Sequence, residues 1–310
     1  MGKRLFALGA VLMVSAGFAQ GAQDKGQVHA SLGASYSRAL TAPETLAAIN
    51  TNPGVCVPET LDGEFARKII GGIAFGLFTA LEDQLPLTKF MQKQGRIPRS
   101  YATPWSCSYS KPDCGLRGLM EQWDALYQTS LVPSADGEFS TIRSVDIGPL
   151  NNGISYTCAD GPLDVQFLRL IQDIGSVVAK IESATPDVSI VIADYPTVDE
   201  SQLQALVDAG VTQLEKTSDY YVWRNNFRQQ VCALAALHPQ VRVAYPWGFK
   251  GKNEIAVMFK EFQLAELLNV PGYIGIHPED AYMEQYATAI GEALAMSEKK
   301  WEEAEMNICK

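Results

Sequence analysis

The sequence predicts an α/β fold, in which strands and helices alternate along the chain. Within residues 188–280 one pattern recurs four times: a short apolar run ends in polar or aromatic residues, and an amphipathic helical segment follows. Three of these runs are nearly continuous in β-branched and aliphatic residues, which is typical of parallel strands buried on both faces. The helical segments between them are long enough for crossovers between parallel strands.

Apolar runs and alternating polar and apolar residues predict the strands. Alternation marks 139–147 and the segment near Val28, whereas continuous apolar character marks most of the others. The predicted strands are a segment containing Val28, Ala30 and Leu32, followed by 68–78, 96–102, 139–147, 188–196, 211–217, 241–247 and 272–277.

Helices are predicted where apolar residues recur at three- and four-residue steps, most clearly over 162–183. Thr197 and Glu200 have the spacing of a capping box at the start of a further helix, and Gly210 ends it. The predicted helices are 41–49, 79–94 with an interruption at Pro86, 115–130, 162–183, one from Thr197 to Gly210, 221–237, one beginning near Asn253, and 279–307.

This order of elements favours a TIM-like (β/α) barrel. Seven or eight strands are predicted and most are followed by a helix, all within one domain over residues 22–310. An open doubly wound parallel sheet is the alternative. In both architectures ligands bind at the carboxyl ends of the strands, so a functional site is expected there.

Composition and charge restrict the class of partner. The chain has 310 residues, 47% of them hydrophobic and 19% charged, which are ordinary values for a globular protein. Its formal net charge is −10 at pH 7. An acidic surface repels phosphate backbones, so nucleic acids and anionic membranes are not expected as partners.

The first 21 residues have the features of a signal peptide. Lys3 and Arg4 precede an apolar run over 5–18, and small residues allow cleavage after Ala19 or Gly21. The run is shorter than the roughly 20 residues that a membrane span needs, and no later run is long and apolar enough to be one. The protein is therefore expected to be exported, either to a periplasm or to the medium.

Six cysteines in an exported chain predict disulfides. Cys107 and Cys114 flank a loop that contains a proline, so their side chains are expected to form one bridge. The pairing of the other four, Cys56, Cys158, Cys232 and Cys309, stays open. A zinc site is not expected, because no C-x-x-C motif occurs and the three histidines are far apart in the sequence.

Carboxylates and aromatic side chains occur together at the predicted carboxyl ends of the strands. In a glycan-binding cleft, aromatic rings pack on sugar rings, and a pair of carboxyl groups can act as general acid and as base or nucleophile. The candidate catalytic residues are Asp146, Asp194 and Glu215. The candidate substrate-binding residues are Trp105, Tyr195, Tyr245, Trp247 and Glu279.

Each of these residues also has a structural interpretation. Asp194 precedes Tyr195 in a strand-to-helix loop, where an aspartate commonly stabilises a turn. Glu215 would pair with Lys216 at the surface, and Asp146 would bind a basic group such as Arg143. Glu279 would favour the N-terminal end of the last helix, and the aromatic residues would pack in the core.

The region 68–294 resembles the secreted TIM-barrel glycoside hydrolases, on the repeated strand–helix pattern and the residues at the strand ends. Many retaining members of that group carry an Asn-Glu pair after the fourth strand, and this chain has no such pair at a strand end. The resemblance implies an exported hydrolase that acts on a polysaccharide or oligosaccharide without a cofactor. Two alternatives are a carbohydrate- or small-ligand-binding protein of the cell envelope and a disulfide-stapled structural component.

Signal-peptide cleavage gives the first testable prediction. Removal of residues 1–19 or 1–21 takes away Lys3 and Arg4 and no acidic residue, so the formal net charge changes from −10 to −12. Intact-mass measurement of the exported protein is expected to show one of these two N-termini. An exported protein that retains Met1 would contradict the prediction.

Overall fold

The computed structural model describes residues 27–34, 86–100, 106–110, 117–129, 142–150, 152, 161–208, 212–248, 254–258, 278, 280–297 and 300–301. Its centre is a five-stranded sheet in the order β2-β1-β3-β4-β6. These strands are β1 (Gln27–Leu32), β2 (Arg96–Ser100), β3 (Ile142–Ile147), β4 (Ser189–Ala193) and β6 (Val241–Ala244). A separate two-stranded sheet pairs β5 (Thr197–Val198) with β7 (Ala256–Val257).

The five-stranded sheet is open, so the prediction of a TIM-like barrel is wrong. All its pairings are parallel. Within the described residues β2 pairs only with β1 and β6 only with β4, which leaves the sheet with two edges. A barrel requires each strand to lie beside the next one all the way round. Here the chain places β2 on one side of β1 and all later strands on the other, as in the doubly wound alternative.

Six helices are described. They are α1 (Pro86–Lys93), α2 (Leu119–Thr129), α3 (Leu163–Ala184), α4 (Glu200–Asp208), α5 (Thr217–Leu237) and α6 (Asp280–Ala295). The predictions over 162–183 and 221–237 correspond to α3 and α5. Of the helices in the described ranges, none has the combination of length and apolar character that crossing a membrane requires.

Helices cover both faces of the sheet. On one face, buried side chains of α2, α3 and α5 form one core with those of β1, β3, β4 and β6. Trp123, Val177, Phe227 and Ile190 are among its members. On the other face, α1, α4 and α6 pack against alternate residues of β4 and β6, including Val191. Because successive strand residues point to opposite faces, β4 contributes to both cores and is apolar from Ile190 to Ala193.

Two predicted elements differ from the structure where their residues are described. Residues 212–216 form bends, so no strand occurs in the described part of 211–217. Residues 254–258 are extended and contain β7, and the side chains of Ile255 and Met258 are exposed instead of lining a helix face. The predictions at 41–49, 68–78 and 272–277 lie outside the described residues.

The N-terminal cap of α4 also differs from the prediction. Thr197 lies in β5, and Asp199 caps the helix. Its Oδ1 accepts hydrogen bonds from the backbone N–H groups of Ser201 at 3.1 Å and Gln202 at 3.3 Å. A hydrogen bond from the Ser201 hydroxyl is the main cause that lowers the pKa of the Asp199 carboxyl.

We expect Asp199→Ala to lower the free energy of unfolding by about 1 kcal/mol, because two backbone N–H groups lose their acceptor. Asp199→Asn is the matched control, since asparagine caps equally well and does not titrate. At neutral pH, Asp199→Asn should change stability by only a few tenths of a kcal/mol.

The pH dependence separates the charge of Asp199 from its capping role. The carboxylate's lowered pKa stabilises the fold above the unfolded-state pKa, and this contribution is lost as pH falls through the folded-state pKa. Denaturant unfolding across the acidic range should show this loss in the wild type and not in Asp199→Asn. Equal stability of Asp199→Ala and wild type at neutral pH would exclude the cap.

Candidate functional site

The strand order reverses at β1, and this position defines the candidate site. β1 lies between β2 and β3, so the chain segments that leave the carboxyl ends of β1 and β3 depart in different directions. In open α/β sheets ligands bind in the crevice that forms at such a point. The described residues at this crevice are 33–34 after β1, and 148–150 with Asn152 after β3.

Gln122 of α2 fixes the backbone at the end of β1. Its Oε1 accepts a hydrogen bond from the Gly33 N–H at 2.7 Å, and its Nε2 donates to the Gly33 carbonyl at 3.0 Å. Gly33 has a φ of 131°, a conformation that favours glycine. The side chain of Gln122 is fully buried, so it satisfies two backbone groups that water does not reach.

The same amide holds a second segment of chain. Gln122 Nε2 also donates to the Ser106 Oγ at 2.6 Å, and the Ser106 hydroxyl donates to the Arg117 carbonyl at 2.6 Å. Ser106 is fully buried. Segment 106–110 therefore lies beside the end of β1 and the start of α2.

A further pair of hydrogen bonds joins segment 106–110 to the chain after β3. Asn152 Oδ1 accepts from the Ser108 N–H at 2.7 Å, and Asn152 Nδ2 donates to the Ser108 Oγ at 3.0 Å. The Ser108 hydroxyl donates to Asp173 Oδ2 of α3 at 2.9 Å. Burial raises the pKa of the Asp173 carboxyl, and the hydrogen bond from Ser108 and the charge of Arg169 oppose this effect.

Gly118 allows the close contact between segment 106–110 and α2. A Cβ atom at this position would lie 2.6 Å from the Ser110 nitrogen and 2.6 Å from the Tyr109 carbonyl carbon. These are backbone atoms, so they cannot move aside as a flexible side chain would. The Leu119 N–H donates to the Ser108 carbonyl at 2.9 Å across this contact.

The crevice is thus bounded by chain segments that buried amide and hydroxyl groups hold in place. Gln122 and Asn152 bind backbone groups on three segments, and both side chains are fully buried. Within the described ranges, no cluster of histidine, cysteine, aspartate or glutamate could hold a metal ion. Such a frame can position a nucleophile and polar hydrogen-bond donors at one edge of the sheet.

Of the predicted catalytic carboxylates, Asp146 lies within the sheet. It is a fully buried residue of β3, and its Oδ2 accepts a hydrogen bond from the hydroxyl of Tyr286 at 3.3 Å. Its Oδ1 accepts a hydrogen bond from Ser31 and lies 3.0 Å from His29 Nε2. Its partners are therefore on β1 and α6. The basic group among them is His29, and Arg143 is not one of them.

Asp194 follows β4 and binds two arginines of α5. Its Oδ2 accepts a hydrogen bond from Arg228 Nε at 2.9 Å and lies 3.6 Å from Arg224 Nη2. Burial raises the pKa of the Asp194 carboxyl, and the two guanidinium groups oppose this effect. The carboxylate is thus held in a buried ion-pair cluster.

The three carboxylates do not share a cleft. Asp146 pairs with Val191 across β3 and β4, and Asp194 lies three residues farther along the chain, about 10 Å at the rise of a strand. The two carboxylates bind helices that cover opposite faces of the sheet. Glu215 is exposed, in a bend ahead of α5.

The predicted substrate-binding aromatics are mostly buried. The Tyr195 hydroxyl donates to the Leu150 carbonyl at 2.7 Å and accepts from its N–H at 2.9 Å. Trp247 Nε1 donates to the Tyr282 carbonyl at 3.0 Å. Both rings are 1% exposed and therefore support the loops as core residues.

Tyr245 is half-buried beneath Arg228, whose guanidinium carbon lies 5.5 Å from the ring centre. Trp105 and Glu279 lie outside the described residues, and their substrate-binding role stays a prediction. Cys114 is outside the described residues, so its bridge to Cys107 also stays a prediction.

Arg224 is a residue that the sequence did not single out. It is buried on α5, and it donates to the Tyr195 carbonyl at 2.7 Å, the Thr197 hydroxyl at 2.5 Å and Glu254 Oε1 at 3.1 Å. It therefore joins the chain after β4 to the segment that precedes β7. The sequence contained one indication of this role, since Arg224 follows Trp223 on the apolar face of a helix.

We expect Gln122→Met to lower the free energy of unfolding by about 2 to 5 kcal/mol, because it leaves both buried backbone groups of Gly33 without partners. Gln204→Met is the matched control: Gln204 is exposed and donates only to Asp208 at 2.7 Å, so a change within about 0.5 kcal/mol is expected. Denaturant unfolding measures both. A Gln122→Met protein as stable as Gln204→Met would show that the hydrogen bonds from Gln122 to Gly33 do not contribute to stability.

A scan of family models and a search of curated proteins both find no match to this chain. Among solved structures, a carbohydrate esterase family 2 enzyme plus carbohydrate binding domain from Corynascus thermopiles (Myceliophthora fergusii) is 14% identical, with a TM-score of 0.42 over 69% of this chain. The match spans 58% of that enzyme's own length. Phospholipase A1 from Streptomyces albidoflavus NA297 has 14% identity and a TM-score of 0.42, over 86% of this chain and 99% of its own.

A Bacteroides fragilis NCTC 9343 protein described as an acylhydrolase is 11% identical, with a TM-score of 0.40, over 94% of this chain and 98% of its own. Identities and scores of this size are too low to assign an activity to this chain.

Proposed function

We propose that this chain is an exported hydrolase that cleaves acyl esters at the crevice between the carboxyl ends of β1 and β3. In this proposal Ser35 is the nucleophile and His277 is the general base. Both residues lie outside the described ranges, so the proposal rests on the described residues next to them in the chain. The observation that supports it is the pair of hydrogen bonds between the Gln122 side chain and the Gly33 backbone. Gly33 lies at the point where the strand order reverses, two residues before Ser35 in the chain.

A nucleophile needs a fixed backbone at an edge where substrate can approach. Ser35 is bonded to Ala34, and consecutive Cα atoms are about 3.8 Å apart. Gln122 holds both the N–H and the carbonyl of Gly33, which restricts the direction in which the chain leaves β1. A serine at this position would meet ligand in the crevice that the fold provides.

Two of the three histidines lie in the described part of the chain, and both have other partners. His29 is buried inside the sheet, between Ser144 Oγ at 2.8 Å and Asp146 at 3.0 Å. His238 follows the end of α5 at the opposite edge, where its Nδ1 lies 2.7 Å from Glu182 Oε2. Neither ring can reach the crevice.

His277 is bonded to Pro278 and lies three residues before α6. The first turn of α6 is at the carboxyl edge, because the indole of Trp247, which follows β6, donates to the Tyr282 carbonyl at 3.0 Å. The start of α6, three residues after His277, therefore lies at the same edge of the sheet as Gly33, two residues before Ser35. This convergence supports the pair as base and nucleophile.

The reaction follows from these two groups. His277 removes the proton from the Ser35 hydroxyl as the oxygen attacks the ester carbonyl. The alcohol leaves with a proton from the histidine, and water then hydrolyses the acyl-serine by the same steps. An oxyanion forms at the carbonyl carbon in each half-reaction and needs positioned hydrogen-bond donors.

The geometry favours an ester over a glycosidic bond as the target. Glycoside hydrolysis requires two carboxyl groups on either side of one bond, roughly 5 to 10 Å apart in one cleft. Asp146 and Asp194 bind opposite faces of the sheet and are both engaged by other side chains. An acylated glycan remains within the proposal, because the scissile bond is then the ester and the polysaccharide is the alcohol.

We expect Ser35→Ala and His277→Ala each to lower kcat/KM by at least about a thousandfold. The substrates are p-nitrophenyl esters of short and long acids, acetylated polysaccharide, and phospholipid vesicles. A fluorophosphonate probe should label the wild-type protein at Ser35, as read by peptide mass. Circular dichroism and thermal unfolding check that each variant remains folded.

Ser37→Ala is the matched control, because it removes the same hydroxyl two residues farther along the chain. It should keep both activity and labelling. Ester hydrolysis that survives in Ser35→Ala would contradict the proposal. If the protein hydrolysed glycosides and Asp146→Asn or Asp194→Asn abolished this activity, the carboxylates would be the catalytic groups instead.

A further inference from the structure

One face of β1 and β3 is polar, although it is sealed from solvent. The face that turns toward α6 carries four fully buried side chains from these two strands, which are His29, Ser31, Ser144 and Asp146. On β4 and β6 the same face carries three apolar residues, Val191, Ala193 and Ala244, beside Ser189 and Arg242. Burying polar groups costs free energy unless each is paired, so a cluster of this size calls for a function.

Asp146 is the centre of the cluster and joins three elements. Its Oδ1 accepts a hydrogen bond from Ser31 and lies 3.0 Å from His29 Nε2, and both partners are on β1. Its Oδ2 accepts a hydrogen bond from the Tyr286 hydroxyl of α6 at 3.3 Å. One carboxylate on β3 thus connects the strand before Ser35 with the helix after His277.

The cluster extends to the edge strand β2. His29 Nδ1 lies 2.8 Å from Ser144 Oγ, which also accepts a hydrogen bond from Arg96 Nη1. Arg96 is half-buried, and its burial lowers the pKa of the guanidinium. The cluster therefore pairs groups on β1, β2 and β3 as well as on α6.

We propose that Asp146 is a positioning residue that sets the separation between nucleophile and base. This inference rests on the proposed function. Ser31 is four residues before Ser35, and Tyr286 is nine residues after His277. A carboxylate that binds Ser31 and Tyr286 fixes β1 relative to α6 from inside the protein. Asp146 itself is 0% exposed and touches no substrate.

The distance between the two reacting groups has a narrow useful range. A serine and its base work at about 2.6 to 3.2 Å, and a displacement of about 1 Å lowers the rate by about a hundredfold. Ser35 and His277 come from distant parts of the chain, so local structure cannot set this distance. A buried link between β1 and α6 can set this distance.

Tyr286→Phe tests the link because it removes only the hydroxyl. Tyr220→Phe is the matched control, since Tyr220 is also buried and its hydroxyl donates to the Pro196 carbonyl at 2.6 Å. We expect Tyr286→Phe to lower kcat by about tenfold to a hundredfold with KM unchanged. Labelling of Ser35 by the fluorophosphonate should slow by the same factor. Tyr220→Phe should keep both rates while losing similar thermal stability.

Ser31→Ala removes the link from the β1 side and provides a second variant if Tyr286→Phe does not fold. It should show the same fall in kcat at unchanged KM. Equal kcat in Tyr286→Phe, Ser31→Ala and Tyr220→Phe would overturn the positioning role, while the loss of activity in Ser35→Ala would leave the proposed function intact. A wild-type protein that neither hydrolyses an ester nor is labelled would overturn the proposed function, and the positioning role with it.

Discussion

The rest of the structure depends on the double pairing of β1. This strand bonds to β2 on one side and β3 on the other, so both of its edges are buried. Its apolar residues pack toward α2 and α3, while its alternate residues enter the polar cluster around Asp146. At its carboxyl end, the Gly33 backbone is held by Gln122. β1 is therefore held in place at both edges, on both faces and at its carboxyl end.

The alternation of strands and helices could be predicted from the sequence, and the order of the strands could not. Apolar runs placed β4 and β6, and alternation placed β1 and β3, because burial leaves a local pattern in the residues. A barrel and an open sheet use the same local pattern. The two folds differ because, in the open sheet, the strand that follows β2 lies on the other side of β1. Where that strand is placed depends on long-range packing between distant segments.

Short elements were the least predictable. The segment 211–217 has strand-like residues and forms bends over its described part, and Ile255 and Met258 have helical spacing in an extended segment. Runs this short bury too few side chains for their pattern to determine their structure. In 254–258, Glu254 is held instead by hydrogen bonds from Arg224 and Thr197.

The candidate site could also be predicted only in part from the sequence. Asp194 follows β4 and Asp146 is the penultimate residue of β3, but which face each one occupies depends on register, which composition does not reveal. Gln122 and Asn152 gave no signal, since a neutral amide in a helix or loop is common and usually exposed. Gly33 after a strand and the turn-rich segment 149–153 were the available indications that the backbone needed support there.

Different kinds of force hold two parts of the carboxyl edge of the sheet, the end of β1 and the loops after β4 and β6. At the end of β1 the contacts to Gly33 come from an uncharged amide, which does not titrate and is not screened by ions. The loops after β4 and β6 are held by charged groups, with Arg224 on Glu254 and Arg228 on Asp194. Burial raises the pKa of Glu254, and hydrogen bonds from Thr197 and Arg224 more than reverse this, so the net pKa is lowered. Changes in salt and acidity therefore act on the loops after β4 and β6, while the end of β1 keeps its shape.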